Sequence, residues 1–151
     1  MDLLLWRHAE AEEGTVDMER QLTKKGRKQA KTMADWIIRH APRDLRVLVS
    51  PAIRCQQTAL ALGRPFETYF QLGPTATADQ LIECAGCPTA DDRVLIVGHQ
   101  PTLGQLASRM LTGIEKNWSI QKGALWWLTR RSSKEKNSTL LRAAIAADLI
   151  S

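Results

Sequence analysis

The chain is poor in cysteine, with three in 151 residues. An odd number argues against a disulfide framework and fits a reducing compartment. Long apolar runs are missing too, and none approaches the roughly 18 residues of a membrane span. The N-terminus lacks the positive region and small-residue cleavage site of a signal peptide, so the cytoplasm is the expected location. No repeat, low-complexity tract or linker interrupts the sequence, and residues 1–151 read as one domain. No nucleic-acid motif is found. Histidine is scarce, with three residues in all, and two of the three stand directly after apolar runs.

What is present is an ordinary globular composition, 44% hydrophobic and 25% charged. This is enough to bury a core without metal or disulfides. The net charge is +5 with a pI near 9.4. Between Arg20 and Arg46 there are nine Lys or Arg against Asp35 and Asp44. Such a run reads as a solvated helix face, or as a docking surface for acidic partners or nucleic acid.

The first stretch, Leu3-Leu4-Leu5-Trp6-Arg7-His8, is an apolar run closed abruptly by charge. It reads as a buried strand, and ligands of open α/β sheets gather at the carboxyl ends of such strands. Val94-Leu95-Ile96-Val97-Gly98-His99 repeats the arrangement. Between them Val47-Leu48-Val49 leads through Ser50-Pro51 toward Arg54, with Ser50 as the expected N-cap and Pro51 as the first helical residue. One edge of the sheet would then collect Arg7, His8, Arg54 and His99.

Elsewhere, residues 9–21 read as a loop over the strand end. Thr23 caps a helix whose Ala30, Met33, Ala34, Ile37 and Ile38 form one buried face, and Pro42 ends it. A short strand is expected over residues 66–70 and a helix over 76–85. Another helix begins at Pro101-Thr102, with Leu103, Leu106 and Ala107 inward, and stops at Gly113. Residues 125–129 and 139–146 read as two last strands joined by a polar turn, although 140–147 is alanine-rich enough to be helical. The fold class is α/β, a three-layer sandwich with a mostly parallel central sheet and helices on both faces.

A single histidine at a strand end is commonly structural. Two in equivalent positions beside two arginines make an anion pocket containing a nucleophile, because the guanidinium fork matches phosphate oxygens. Arg7-His8, Leu22-Thr23-x-x-Gly26-x-x-Gln29-Ala30, Ser50-Pro51-x-x-Arg54-x-x-Gln57-Thr58-Ala59 and Gly98-His99-x-Pro101 together resemble the histidine phosphatase superfamily, which includes the phosphoglycerate mutases. The short chain looks like the SixA-type protein-phosphohistidine phosphatases. That resemblance implies that His8 attacks phosphorus and carries the phosphoryl group, while Arg7, Arg54 and His99 hold its equatorial oxygens. It implies no metal and no cofactor. The implied partner is a phosphohistidine-bearing protein, a phosphotransfer or carrier domain.

Two departures narrow the reading. Arg7-His8 continues as Ala9-Glu10-Ala11-Glu12, without the Gly, Thr and Asn through which many relatives contact substrate, so sugar-phosphate specificity is not supported. Phe70-Gln71-Leu72-Gly73-Pro74 also holds no carboxylic acid to protonate an alkoxide. A phosphorylated imidazole protonated by solvent departs without one, so the missing acid favours phosphoramidates over esters. Glu10, Glu12, Asp79 and Glu83 are the remaining candidate donors. Rival readings are a phosphatase of small esters, a noncatalytic phosphate-binding module and a metal hydrolase using His8 and His99. Cys84-x-x-Cys87 lacks the further ligands of a zinc site and reads as a loop pair. His40 reads as a surface residue.

Overall fold

The computed structural model describes residues 1–86, 91–130 and 139–151. Cys87, and with it the Cys84–Cys87 pair, and most of the polar turn before the last strand lie outside the described residues. The strands are β1 (Asp2–Arg7), β2 (Arg46–Val49), β3 (Glu67–Thr68), β4 (Arg93–Gly98), β5 (Leu125–Arg130) and β6 (Thr139–Ile145). The helices are α1 (Lys24–His40), α2 (Ile53–Leu60), α3 (Ala78–Cys84) and α4 (Thr102–Thr112). One sheet runs in the order β3-β2-β4-β1-β5-β6. β1 pairs parallel with β4, β4 with β2 and β2 with β3, whereas β5 runs against both of its neighbours. The sheet is therefore mostly parallel, as expected.

Both faces of the sheet are covered, because the central strands are apolar at consecutive interior positions and a strand alternates its side chains between faces. Leu3, Leu5, Val94 and Ile96 pack with Leu81 of α3 and with Leu103 and Leu106 of α4. Leu4, Trp6, Leu95 and Val97 pack on the other side with Met33 and Ile37 of α1 and with Cys55 and Ala59 of α2. Three layers result. They leave the carboxyl ends of β1, β2 and β4 at one rim.

Several local expectations need correction. Ile38 lies one position past the buried stripe of α1 and is 55% exposed. Helix α2 starts at Ile53, not Pro51, with Ala52 rather than Ser50 at its N-cap; the Ser50 hydroxyl accepts from the Ala52 amide at 3.2 Å and meets the His99 ring. The strand expected over 66–70 shrinks to two residues, and Phe70 sits exposed in a short 3-10 turn. The last strand lies where expected, and its alanine-rich part is not helical: Ile145 stands opposite Leu125 and Thr139 opposite Arg130 in the ladder with β5. Thr23 does cap α1, its hydroxyl accepting from the Gly26 amide at 2.9 Å. His40 is exposed and rests against the Trp36 ring, with centroids 4.6 Å apart.

Candidate active site

The backbone beyond β1 and β4 continues their pairing. The His8 amide donates to the Gly98 carbonyl at 3.1 Å, so the residues that end the two strands emerge side by side. The His8 and His99 rings lie with centroids 5.3 Å apart. Arg54 enters from the first turn of α2, and its Nη2 reaches His99 Nδ1 at 3.3 Å. Arg7 is tethered through Nη1 to the Ile120 carbonyl at 2.9 Å. The four residues singled out in the sequence thus share one end of the sheet.

Side chains from the other motif segments act as buttresses beneath them. The Ala9 amide donates to Thr58 Oγ1 at 3.0 Å, and the same hydroxyl donates to the Arg54 carbonyl at 2.7 Å. Thr58 therefore ties the turn after His8 to the helix that carries Arg54. Gln29 Oε1 accepts from the Glu10 amide at 3.0 Å, and Gln57 Oε1 accepts from the Leu22 amide at 2.7 Å. Gly26 is required at its position, because a Cβ there would lie 1.9 Å from the Glu10 carbonyl oxygen.

The tautomers follow from what each partner can do. His8 Nδ1 is 2.8 Å from the Ala9 carbonyl. A carbonyl only accepts, so the proton is on Nδ1 and the lone pair on Nε2. A guanidinium only donates, so His99 Nδ1 accepts from Arg54 and His99 Nε2 donates to Ser50 Oγ at 2.8 Å. Burial, reinforced by the charges of Arg54 and Arg7, pushes His8 down to about 4. Burial and the neighbouring His8 and Arg54 push His99 down to about 3. Both rings are neutral at neutral pH.

Arg7 also has its pKa lowered, by burial and then by the adjacent Arg54. Arg7 Nε and Arg54 Nε are buried donors that find no hydrogen-bond partner among the described residues. Two crowded cations with buried N–H groups to spare suit a multiply charged oxyanion. Among the described residues, no three His, Cys, Asp or Glu side chains gather as a metal-ligand set. Cys55 lies 3.5 Å from His99 Nε2. Burial pushes its thiol up to about 12, so it stays protonated.

The carboxylate that Arg54 binds belongs to a residue that no sequence motif singles out. Asp17 sits in a short 3-10 turn of the loop that follows β1. Its carbonyl accepts from Arg54 Nη1 at 2.8 Å and its Oδ2 from Arg54 Nη2 at 3.1 Å. Oδ1 accepts from Arg20 Nη1 at 3.1 Å. The two guanidinium groups hold the Asp17 carboxyl below the usual carboxylate range. The only hint in sequence is the three-residue spacing of Asp17 and Arg20 within a polar loop.

The donor candidates are engaged elsewhere. Glu10 Oε2 accepts from Thr23 Oγ1 at 2.8 Å, at the start of α1. Glu10 also lines, with Arg7, Lys25, Gln29 and Lys122, an open groove of about 400 Å³. Asp79 pairs with Arg109 of α4, while Glu12 and Glu83 are exposed. No helix among the described residues is long and apolar enough to cross a membrane.

The comparisons agree with this geometry. The structure superposes on that of the protein histidine phosphatase SixA complexed with tungstate with a TM-score of 0.80, at 23% identity and over 100% of both chains. The alpha-ribazole phosphatase of Shigella flexneri shares the fold with a TM-score of 0.67, at 19% identity and over 97% of each chain. In sequence, the chain is 30% identical over 126 residues to a phosphohistidine phosphatase SixA homolog of Haemophilus influenzae, an alignment covering 73% of this chain and 77% of that protein. The model of the histidine phosphatase superfamily (branch 1) matches residues 3–86, which include Arg7, His8 and Arg54. With more than half its length matched and its motif residues gathered at one end of the sheet, the chain belongs to the histidine phosphatase superfamily, branch 1.

Proposed function

We propose that the chain is a protein-phosphohistidine phosphatase acting through a covalent phospho-His8 intermediate. The observation that carries this reading is the Ala9 carbonyl 2.8 Å from His8 Nδ1, which keeps the Nε2 lone pair available on a ring that is neutral at working pH. In the first step that lone pair forms a bond to phosphorus while the substrate's P–N bond breaks. The bonding pair returns to the substrate imidazole, which already carries a proton on its other nitrogen and leaves neutral. The phosphorylated His8 ring is cationic with its proton still on Nδ1, where the Ala9 carbonyl stabilises it. In the second step a water oxygen attacks phosphorus, the pair of the P–N bond returns to Nε2, and the surplus proton goes to solvent.

Through both steps Arg7 and Arg54 offset the charge on the equatorial oxygens, and His99, seated between Arg54 and Ser50, lies beside them. The name of the Haemophilus influenzae relative supports this substrate class. The lack of a carboxylic acid in the 70–74 segment, which an alkoxide would need, supports it too. The partner would present its phosphohistidine on a phosphotransfer or carrier domain. Lys24, Lys25, Arg27, Lys28 and Lys31, exposed along α1, offer that partner a basic face, and Lys25 borders the groove that holds Arg7.

The test is rapid-quench labelling of wild type and His8→Ala with a phosphohistidine peptide carrying labelled phosphate. Acid-labile, base-stable label on wild type alone, chasing into free phosphate, is the expected result. Release of phosphate by His8→Ala at the wild-type rate would exclude His8 as the nucleophile.

A further inference from the structure

Asp17 is far more exposed than the arginine it binds. The Arg54 side chain is 5% exposed and that of Asp17 54%, so the carboxylate lies on the solvent side of a guanidinium whose Nη2 also reaches His99. A nucleophile on the buried floor expels its leaving group in line, away from the floor and toward solvent. His8 is buried and Asp17 stands on the exposed side of Arg54, so a group leaving His8 toward solvent departs on the side where Asp17 lies.

The carboxylate is also fixed there. Arg54 grips the Asp17 main chain through Nη1 as well as the side chain through Nη2. Arg20 grips Oδ1, and its own Nε donates to the Glu12 carbonyl at 2.7 Å. Each carboxylate oxygen spends one lone pair on a guanidinium and keeps another for a further donor. Holding Arg54 in place does not by itself call for a carboxylate at this point, since the Asp17 carbonyl already binds Nη1.

Resting on the phosphohistidine phosphatase reading, we propose that Asp17 determines substrate class: its carboxylate accepts the N–H of the substrate's phosphorylated imidazole and disfavours phosphate esters. With the ring protonated, cleavage of the P–N bond sends its electron pair to nitrogen and releases neutral imidazole. An anion at the rim raises the fraction of bound substrate in that protonated form. Cleavage of a P–O bond instead sends the pair to oxygen, and the negative charge that develops is repelled by the same carboxylate. Asp17 thus supplies selectivity without acting as an acid.

The charged and titratable groups facing Asp17 are Arg20, Arg54 and His99. A guanidinium keeps its charge in proteins, and His99, pushed down to about 3, stays neutral from pH 5 to 9, so a pH effect of replacing Asp17 reads out the substrate ring.

The experiment compares wild type with Asp17→Asn on a phosphohistidine peptide and on p-nitrophenyl phosphate, measuring kcat/KM from pH 5 to 9, with a thermal melt to confirm folding. The expected result is opposite movement by about threefold each, phosphohistidine down and ester up, so that the preference falls about tenfold. The alkaline limb of the phosphohistidine profile should move to lower pH in Asp17→Asn while the ester profile keeps its shape. Equal losses on both substrates would make Asp17 a holder of Arg54 and overturn the inference, as would no change on either. Failure of wild type on the peptide alongside turnover of the ester would overturn the phosphohistidine reading itself. An intact wild-type preference that Asp17→Asn leaves unchanged overturns only the role of Asp17.

Discussion

Thr58→Val should cost both stability and turnover, because one hydroxyl serves two elements of the site. The substitution keeps the branched shape but removes the acceptor of the Ala9 amide and the donor to the Arg54 carbonyl. Arg54 lies within α2, so its carbonyl retains the helix ladder as a partner. Ala9 has no such reserve. It is fully buried and its N–H would be left unpaired, a cost of about 1–3 kcal/mol. For a domain of this length that corresponds to a fall in Tm of roughly 4–8 °C for a mid-range loss of about 2 kcal/mol. The effect on catalysis follows from Ala9 as well, since its carbonyl fixes the His8 proton on Nδ1 and sets the ring's orientation. A loosened peptide lets Nε2 wander from the line of attack, and kcat should drop on the order of 10- to 100-fold with little change in KM. Thermal melts and single-turnover phosphoryl transfer measure the two effects. Thr58→Ser, which keeps the hydroxyl, should recover most of both. A Thr58→Val variant with wild-type Tm and wild-type kcat would refute the argument.

Two further outcomes are expected at the same site. The folded state holds His8 at about 4 and His99 at about 3, below the ordinary value of about 6.5. The unfolded chain therefore takes up protons first as pH falls, and stability present at neutral pH is lost from about 6.5 downward. By pH 5 the loss should be about 2 kcal/mol per histidine. Urea midpoints at pH 7 and 5 check this, and a flat profile would contradict the burial argument. Gly26→Ala favours helix formation by about 1 kcal/mol, yet its Cβ would press on the Glu10 carbonyl oxygen from 1.9 Å. Overpacking against backbone should win, giving a net loss of about 1–3 kcal/mol by denaturant titration; a stabilised variant would refute it.

Much of this architecture is legible in the sequence because its signals are local. The runs ending at His8 and His99 are strands because four consecutive apolar residues fill each of them, Leu3–Trp6 and Val94–Val97, and Thr23 caps α1 through a hydrogen bond spanning three residues. What escapes depends on distant partners. Ser50 has the look of a helix cap, but its hydroxyl meets His99, 49 positions away in sequence, and α2 begins later. The strand read over 139–146 is found as Thr139–Ile145; its alanine-rich composition also suits a helix, and pairing with β5 is what decides between the two. Asp17 belongs to a polar loop with no periodicity, and only folding brings it to Arg54, 37 positions further along. The motif residues Gln29, Gln57 and Thr58 are visible as a pattern, while their work as ties beneath the His8 turn is not.

The pairing of β1 with β4 has a consequence for how the site tolerates change. Adjacent strands lie about 4.8 Å apart, a spacing fixed by backbone hydrogen bonds and indifferent to side chains. With Arg7 opposite Gly98 in register, the two histidines inherit that interval, and their ring centroids stand 5.3 Å apart. The sheet acts as a ruler for the phosphoryl cradle. Because the ruler is main chain, loops leaving the strand ends can lengthen, shorten or exchange residues such as Asp17 without altering the gauge, so the recognition surface is free to diverge while the reacting distance stays constant.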